Sequence, residues 1–133
     1  MAGKYGDGER RKFQRLKVDF SVRYQVRKPL EVAMTVGGQK VEATMVDLSE
    51  EGMALKTAFD MPPGTVLLMN FMLVYAYEKY ENIMQDMEIE GTIVNKAELP
   101  DKGFRLGIHF SKITPEDRKV LIDFVKSSSK KDS

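Results

Sequence analysis

The stretch KVDFSVRYQV, at residues 17–26, decides the fold class of this 133-residue chain. Its apolar residues share one parity: Val18, Phe20, Val22, Tyr24 and Val26. Polar or charged residues occupy the other parity. A period of two, carried by β-branched and aromatic side chains, is typical of a strand with one face in a core. The stretch therefore predicts a half-buried β-strand.

Further strand patterns follow along the chain. Apolar residues alternate again at 30–36, and Gly37-Gly38 is typical of a hairpin turn, which predicts a return strand at 39–47. The apolar run at 65–75 predicts a strand that is either buried on both faces or extended past the rim of the sheet. Residues 75–85 have weak helical spacing and predict a loop with one helical turn. The remaining predicted strands are 53–56, 88–96 and 104–110, with turns at 62–64 and 99–103.

The C-terminal part has a different pattern. Thr114 and Pro115, followed by two acidic residues, indicate the start of a helix, and apolar residues then recur at helical spacing. Several short strands with one late helix indicate an all-β protein, a small antiparallel β-barrel capped by that helix. We expect a flexible basic arm at 1–15, the barrel with its helix at 16–126, and a disordered polar tail at 127–133.

Composition excludes several function classes. Hydrophobic residues make up 42% and charged residues 31% of the chain, which suits one globular domain. Cysteine is absent, so disulfides, thiolate zinc sites and cysteine nucleophiles are excluded. No apolar stretch suits a signal peptide or a membrane span. We therefore expect a cytoplasmic protein without membrane insertion.

Catalysis and metal binding find little support in the sequence. The single histidine, His109, lies in a predicted strand without a recognisable serine or aspartate partner, so we expect it to face outward. The carboxylates lack the spacing of a metal-binding loop, and a glycine-rich phosphate loop is absent. We expect no enzyme, no catalytic residue, no cofactor and no bound metal.

Charge is unevenly placed although the net charge is only +1. Nine basic and three acidic residues give residues 1–28 a charge of +6, whereas two basic and seven acidic residues give residues 78–101 a charge of −5. The basic segment would attract a phosphate-bearing partner. Taken alone, the composition favours a simpler explanation, a solvated tail beside polar strand faces.

Arg11 and Arg15 lie four residues apart, directly before the first strand. On a helix they would be neighbours on one face. In an extended chain they would lie roughly 13 Å apart and point the same way. That spacing lets two guanidinium groups reach opposite ends of a nucleotide-sized ligand, since each group can bind phosphate bidentately or pair with guanine.

The segment Asp47-Leu48-Ser49-Glu50-Glu51-Gly52 predicts a polar turn between two strands. An ionised Asp47 only accepts hydrogen bonds, so it can receive the N1–H and N2 amino donors of guanine or hold an arginine in place. Ser49 can donate to a phosphate, and Gly52 permits a positive φ that turns the chain sharply. Taken alone, the segment also fits an ordinary turn.

Together, the two segments resemble the PilZ domain family. The pattern R-x-x-x-R before the first strand, followed by D-x-S-x-x-G about one hairpin later, has the family's order. Residues 91–94 and 104–110 look like the family's closing strands, and the helix at 115–125 is similar to its terminal helix. The resemblance covers residues 9–126. One departure is Asn95, which stands where many members carry a tryptophan.

The resemblance implies a bacterial receptor for cyclic di-GMP built on a six-stranded antiparallel β-barrel. The ligand contacts that it implies come from Arg10, Arg11, Arg15, Asp47, Ser49 and Gly52, with the arm becoming ordered over the ligand. Arg10 favours two stacked ligand molecules. Because the chain shows no second domain, we expect an unidentified downstream protein to read the change, and we expect a monomer or weak dimer.

Two other functions remain open. One is a small nucleic-acid-binding barrel that uses the +6 segment, but the exposed aromatic pattern of single-strand binders is not obvious, so we expect no DNA or RNA partner. The other is a PilZ-like module that binds no nucleotide and acts through protein interactions. Loss of a stacking tryptophan at Asn95 favours that alternative.

Overall fold

The computed structural model describes residues 15–76 and 82–132. In this part of the chain, six antiparallel strands form a closed barrel in the order β1-β2-β3-β6-β5-β4. The strands are β1 (Leu16–Lys28), β2 (Val41–Leu48), β3 (Gly52–Thr57), β4 (Val66–Ala76), β5 (Asn82–Glu98) and β6 (Phe104–Lys112). The helices are α1 (Leu30–Val36) and α2 (Pro115–Asp132). The predicted six-stranded barrel with a C-terminal helix is confirmed.

The core fills the barrel with the inward parity of each strand. On β1, the side chains of Val22, Tyr24 and Val26 are buried, as the alternation predicts. The hydroxyl groups of Tyr24 and Thr57 form a hydrogen bond of 2.8 Å inside the barrel. Burial raises the pKa of Tyr24 above its ordinary value, although the hydrogen bond to Thr57 acts in the opposite direction. The interior is thus occupied by side chains, and a ligand must bind on the outside.

Residues 30–36 form the helix α1, so the predicted strand and the predicted hairpin turn at Gly37-Gly38 are wrong. The N–H of Gly37 bonds to the carbonyl of Met34, and the N–H of Gly38 bonds to that of Ala33. This pair of bonds, with Gly37 at a φ of +103°, is the Schellman ending of a helix. The apolar residues of the segment fit a helical period as well as a period of two, which is why the sequence misled.

The strands β4 and β5 extend beyond the barrel as a two-stranded ribbon. Their ladder runs without a break from Val66 opposite Thr92 to Ala76 opposite Asn82. The predicted loop at 75–85 is therefore wrong for residues 75–76 and 82–85, and residues 77–81 lie outside the described residues. Leu73 is buried and Val74 is 49% exposed, so β4 extends past the rim rather than being buried on both faces.

The helix α2 begins as predicted and ends later than predicted. The side-chain oxygen of Thr114 accepts the N–H of Asp117 at 3.0 Å, which is the bonding expected of an N-cap. The helix continues to Asp132, past the predicted boundary at residue 126, and the disorder of the tail stays a prediction. Extending an existing helix costs far less than starting one.

The predicted flexible arm at 1–15 lies outside the described residues, except for Arg15. Within the described ranges, neither helix has the length and apolar character needed to cross a bilayer.

Candidate ligand-binding site

Arg15 and Asp47 meet at one end of the barrel. Arg15 directly precedes β1, and Asp47 lies near the end of β2, where Lys17 of β1 is its partner in the ladder. The Nη1 of Arg15 donates to the Oδ1 of Asp47 at 2.9 Å. Because the strands are antiparallel, the start of β1 and the end of β2 must lie side by side. The structure thereby joins the last residue of R-x-x-x-R to the first residue of D-x-S-x-x-G.

A second arginine binds the same carboxylate. The Nη2 of Arg105, on β6, donates to the Oδ2 of Asp47 at 3.1 Å. Arg105 belongs to neither of the two sequence motifs and was not among the predicted site residues. Its outward parity on β6 was visible in the sequence, but only the strand order β2-β3-β6 brings it to Asp47.

The turn after β2 is closed by Ser49. Its N–H donates to the carbonyl of Gly52 at 2.9 Å, and its hydroxyl donates to the same carbonyl at 3.3 Å. The hydroxyl oxygen also accepts the N–H of Glu51 at 3.3 Å. With a side chain that is almost fully buried, Ser49 shapes the turn in this structure, and a contact between Ser49 and a ligand stays a prediction.

Gly52 is required for a reason other than the predicted one. Among the described residues the glycines with positive φ are Gly37, Gly38 and Gly64, so the expectation of a positive φ at Gly52 is wrong. A Cβ atom on Gly52 would instead overlap the carbonyl oxygen of Ile108 on β6. The missing side chain lets the start of β3 pack directly against the backbone of β6.

Two bonds from other elements hold the turn in place. The Nη1 of Arg118, on α2, donates to the carbonyl of Glu50 at 3.2 Å. The N–H of Phe110, on β6, donates to the carbonyl of Glu51 at 2.9 Å. The turn is therefore tied to both the barrel and the helix.

A row of cross-strand partners begins at Asp47 and includes two small residues, of which Ala54 is buried. Across the barrel surface, Asp47 pairs with Ala54, Ala54 with Gly107, and Gly107 with Asn95. Residues paired directly across strands point to the same face, so all four face outward. A Cβ atom on Gly107 would overlap the carboxamide of Asn95, which shows that this side chain lies across Gly107.

The remaining sequence predictions for the site concern His109, the arginines before Arg15 and metal binding. His109 is exposed on β6, as expected. Arg10 and Arg11 lie outside the described residues. Among residues 15–76 and 82–132, no cluster of three or more histidine or carboxylate side chains is placed to hold a metal ion.

A family model for the PilZ domain matches residues 9–127. The chain belongs to the PilZ domain family. Both segments of the site fall within the match, as do all six strands of the barrel. Comparison with curated proteins gives no match.

Solved structures share the PilZ fold of this chain. The inhibitor of motility MotI (DgrA) of Bacillus subtilis has a TM-score of 0.69 and 16% identity, covering 90% of this chain and 51% of MotI. The PilZ chain therefore spans about half the length of that protein. The PilZ domain of YcgR from Escherichia coli, solved with c-di-GMP, has a TM-score of 0.62 and 13% identity, covering 92% and 93% of the two chains. The K. pneumonia MrkH–c-di-GMP complex has a TM-score of 0.58 and 17% identity, covering 91% and 54%.

Proposed function

We propose that this PilZ protein is a receptor for cyclic di-GMP. The observation that carries the proposal is the 2.9 Å contact between Arg15 and Asp47, which brings the two sequence segments together on one surface. Family membership supports the same ligand, since YcgR and MrkH have been solved with c-di-GMP. A receptor needs no catalytic group, and the proposal assigns none.

The ligand offers two phosphates and two guanine bases to this surface. Arg15, together with Arg11 and Arg10 from the preceding segment, binds phosphates and guanine edges through guanidinium N–H groups. Asp47 orients Arg15 and accepts donors from guanine. Ser49 and Gly52 give the turn the shape that keeps Asp47 in place. Arg10 favours a pair of stacked ligand molecules.

Binding acts as a switch in the segment before β1. Ligand phosphates draw residues 1–15 onto the barrel, and the arginine contacts offset the entropy lost when that segment becomes ordered. An unidentified downstream protein reads the altered surface. In this proposal the protein acts in the bacterial cytoplasm, as a monomer or weak dimer, without DNA or RNA as a partner.

Calorimetric titration with cyclic di-GMP tests the proposal. The wild-type protein binds, Arg15→Ala weakens binding at least about tenfold because a charge-assisted hydrogen bond is lost, and Arg23→Ala has no effect. Arg23 is a matched control, because it is an exposed arginine of β1, the strand that follows Arg15, and its ladder partners are Glu42 and Asn70 rather than Asp47. Excess GTP or RNA does not displace the ligand.

Two results contradict the proposal. Absence of wild-type binding removes the receptor function and favours a module that acts by protein interaction alone. Equal affinities for wild type and Arg15→Ala remove the arginine segment from the mechanism.

A further inference from the structure

Two arginines share one carboxylate at the site, and this leaves an excess of positive charge. Arg15 donates to Oδ1 of Asp47 at 2.9 Å and Arg105 donates to Oδ2 at 3.1 Å. The three side chains together carry a charge of +1. Both oxygen atoms of Asp47 therefore have a guanidinium partner, while neither cation has a carboxylate of its own among the described residues.

Stability does not explain the second arginine. The side chain of Asp47 is 15% exposed, whereas those of Arg15 and Arg105 are 35% and 43% exposed. Ion pairs with this much access to water contribute little to folding. The carboxylate of Asp47 is less exposed than the two guanidinium groups, and it holds both of them in fixed orientations at the surface.

Most donors of Arg105 remain available. A guanidinium group has five N–H donors, and the contact to Asp47 uses the Nη2 end. Arg105 makes no other side-chain hydrogen bond to the described residues. It lies two positions before Gly107 on the same outward parity of β6, and its bond to Asp47 places its guanidinium group beside that carboxylate on the outer surface of the barrel.

We infer that Arg105 is a third cation of the cyclic di-GMP site and binds a phosphate of the ligand directly. The inference rests on the proposed function and extends it to a residue outside both sequence motifs. A phosphate bound by these guanidinium groups neutralises the excess charge of the three side chains, and Asp47 holds Arg105 and Arg15 in place to receive it. Charge-assisted bonds of this kind are about twice as strong as neutral ones.

Titration of single variants with cyclic di-GMP tests the inference. Arg105→Ala weakens binding at least about tenfold, and Arg105→Lys stays within about fivefold of wild type, because a phosphate also accepts the point charge of a lysine. Arg23→Ala serves as the charge-matched control and binds like the wild type. The thermal unfolding midpoint of unliganded Arg105→Ala stays at the wild-type value, which separates lost binding from lost structure.

The outcomes distinguish this inference from the proposed function. If Arg105→Ala binds like the wild type while Arg15→Ala is impaired, the receptor stands and the role of Arg105 is refuted. If Arg105→Lys is as weak as Arg105→Ala, the assignment to a phosphate is refuted. If the wild type does not bind, both proposals fail together.

A double variant separates direct contact from an effect through Asp47. In the Asp47→Asn background, a direct phosphate contact predicts that adding Arg105→Ala weakens binding again. Equal affinities for Asp47→Asn and the double variant would mean that Arg105 only positions Asp47, and would overturn the inference.

Discussion

Replacing Gly52 by alanine is expected to destabilise the barrel strongly. The added Cβ atom would overlap the carbonyl oxygen of Ile108, which is backbone and belongs to the ladder between β3 and β6. Relief requires the two strands to separate locally, since no side chain can rotate out of the way. Overpacking costs typically 1–3 kcal/mol, and a backbone obstacle places this variant near the top of that range, at about 3 kcal/mol.

Gly107→Ala is the matched control for this prediction. Its Cβ atom would meet the carboxamide of Asn95, an exposed side chain that can turn toward solvent. Neither glycine has a positive φ, so alanine is not strained by its backbone at either position. We expect Gly107→Ala to change the free energy of unfolding by less than about 1 kcal/mol, partly because alanine restricts the unfolded chain more than glycine does.

Urea unfolding of the two variants and the wild type measures the difference. The midpoint of Gly52→Ala falls well below that of the wild type at an unchanged slope, which identifies a change in stability alone. A loss below about 0.5 kcal/mol for Gly52→Ala, or an equal loss for Gly107→Ala, would refute the reasoning from backbone overlap.

Three further predictions concern the fold. Thr114→Ala lowers the free energy of unfolding by about 1 kcal/mol through loss of the N-cap bond to Asp117, and Thr114→Ser, which keeps the hydroxyl, restores most of it in urea unfolding. Gly37→Ala lowers it by about 1–2 kcal/mol because φ is +103° there, and a loss near zero in the same assay would contradict the assignment of the helix end. Since burial raises the pKa of Tyr24, the folded state retains its proton where the unfolded state loses it, so stability falls as pH rises above about 10. In Tyr24→Phe, the free energy of unfolding falls less between pH 9 and 11 than in the wild type. An equal fall in both proteins would contradict the raised pKa of Tyr24.

Most strands of the barrel could be predicted from the alternation of apolar and polar residues. At β1 and β6 the apolar parity coincides with burial, because a barrel strand has one face in the core and one in water. The cap at Thr114 was equally readable, since its bonding partner lies only three residues away. Local patterns of this kind are set within a few residues, so a sequence can display them.

The errors occur where a local pattern has two meanings. The apolar residues at 30–36 fit a strand and a helix equally, and Gly37-Gly38 suits both a hairpin turn and the Schellman end of a helix. Residues 75–76 and 82–85 became strand because the β4–β5 ladder extends beyond the barrel.

Only the part of the site that depends on local motifs was predictable from the sequence. Arg15 and Asp47 belong to short motifs, and their contact follows once β1 and β2 pair. The contribution of Arg105 depends on the pairing of β6 with β3, whose paired residues lie 47 to 57 positions apart along the chain. The need for glycine at position 52 depends on the same pairing. The roles of Arg105 and Gly52 could not be predicted from the sequence, because both depend on the order of strands that are distant along the chain.

A ¹⁵N NMR titration of the full chain with cyclic di-GMP tests the central claim most directly. We predict saturable shifts of backbone amides at 15–17, 47–54 and 105–109, together with the segment before β1, and none around Arg23 and Asn70 on the neighbouring side of the barrel. Absence of shifts, or shifts centred on Arg23 and Asn70, would contradict the joint site of Arg15 and Asp47.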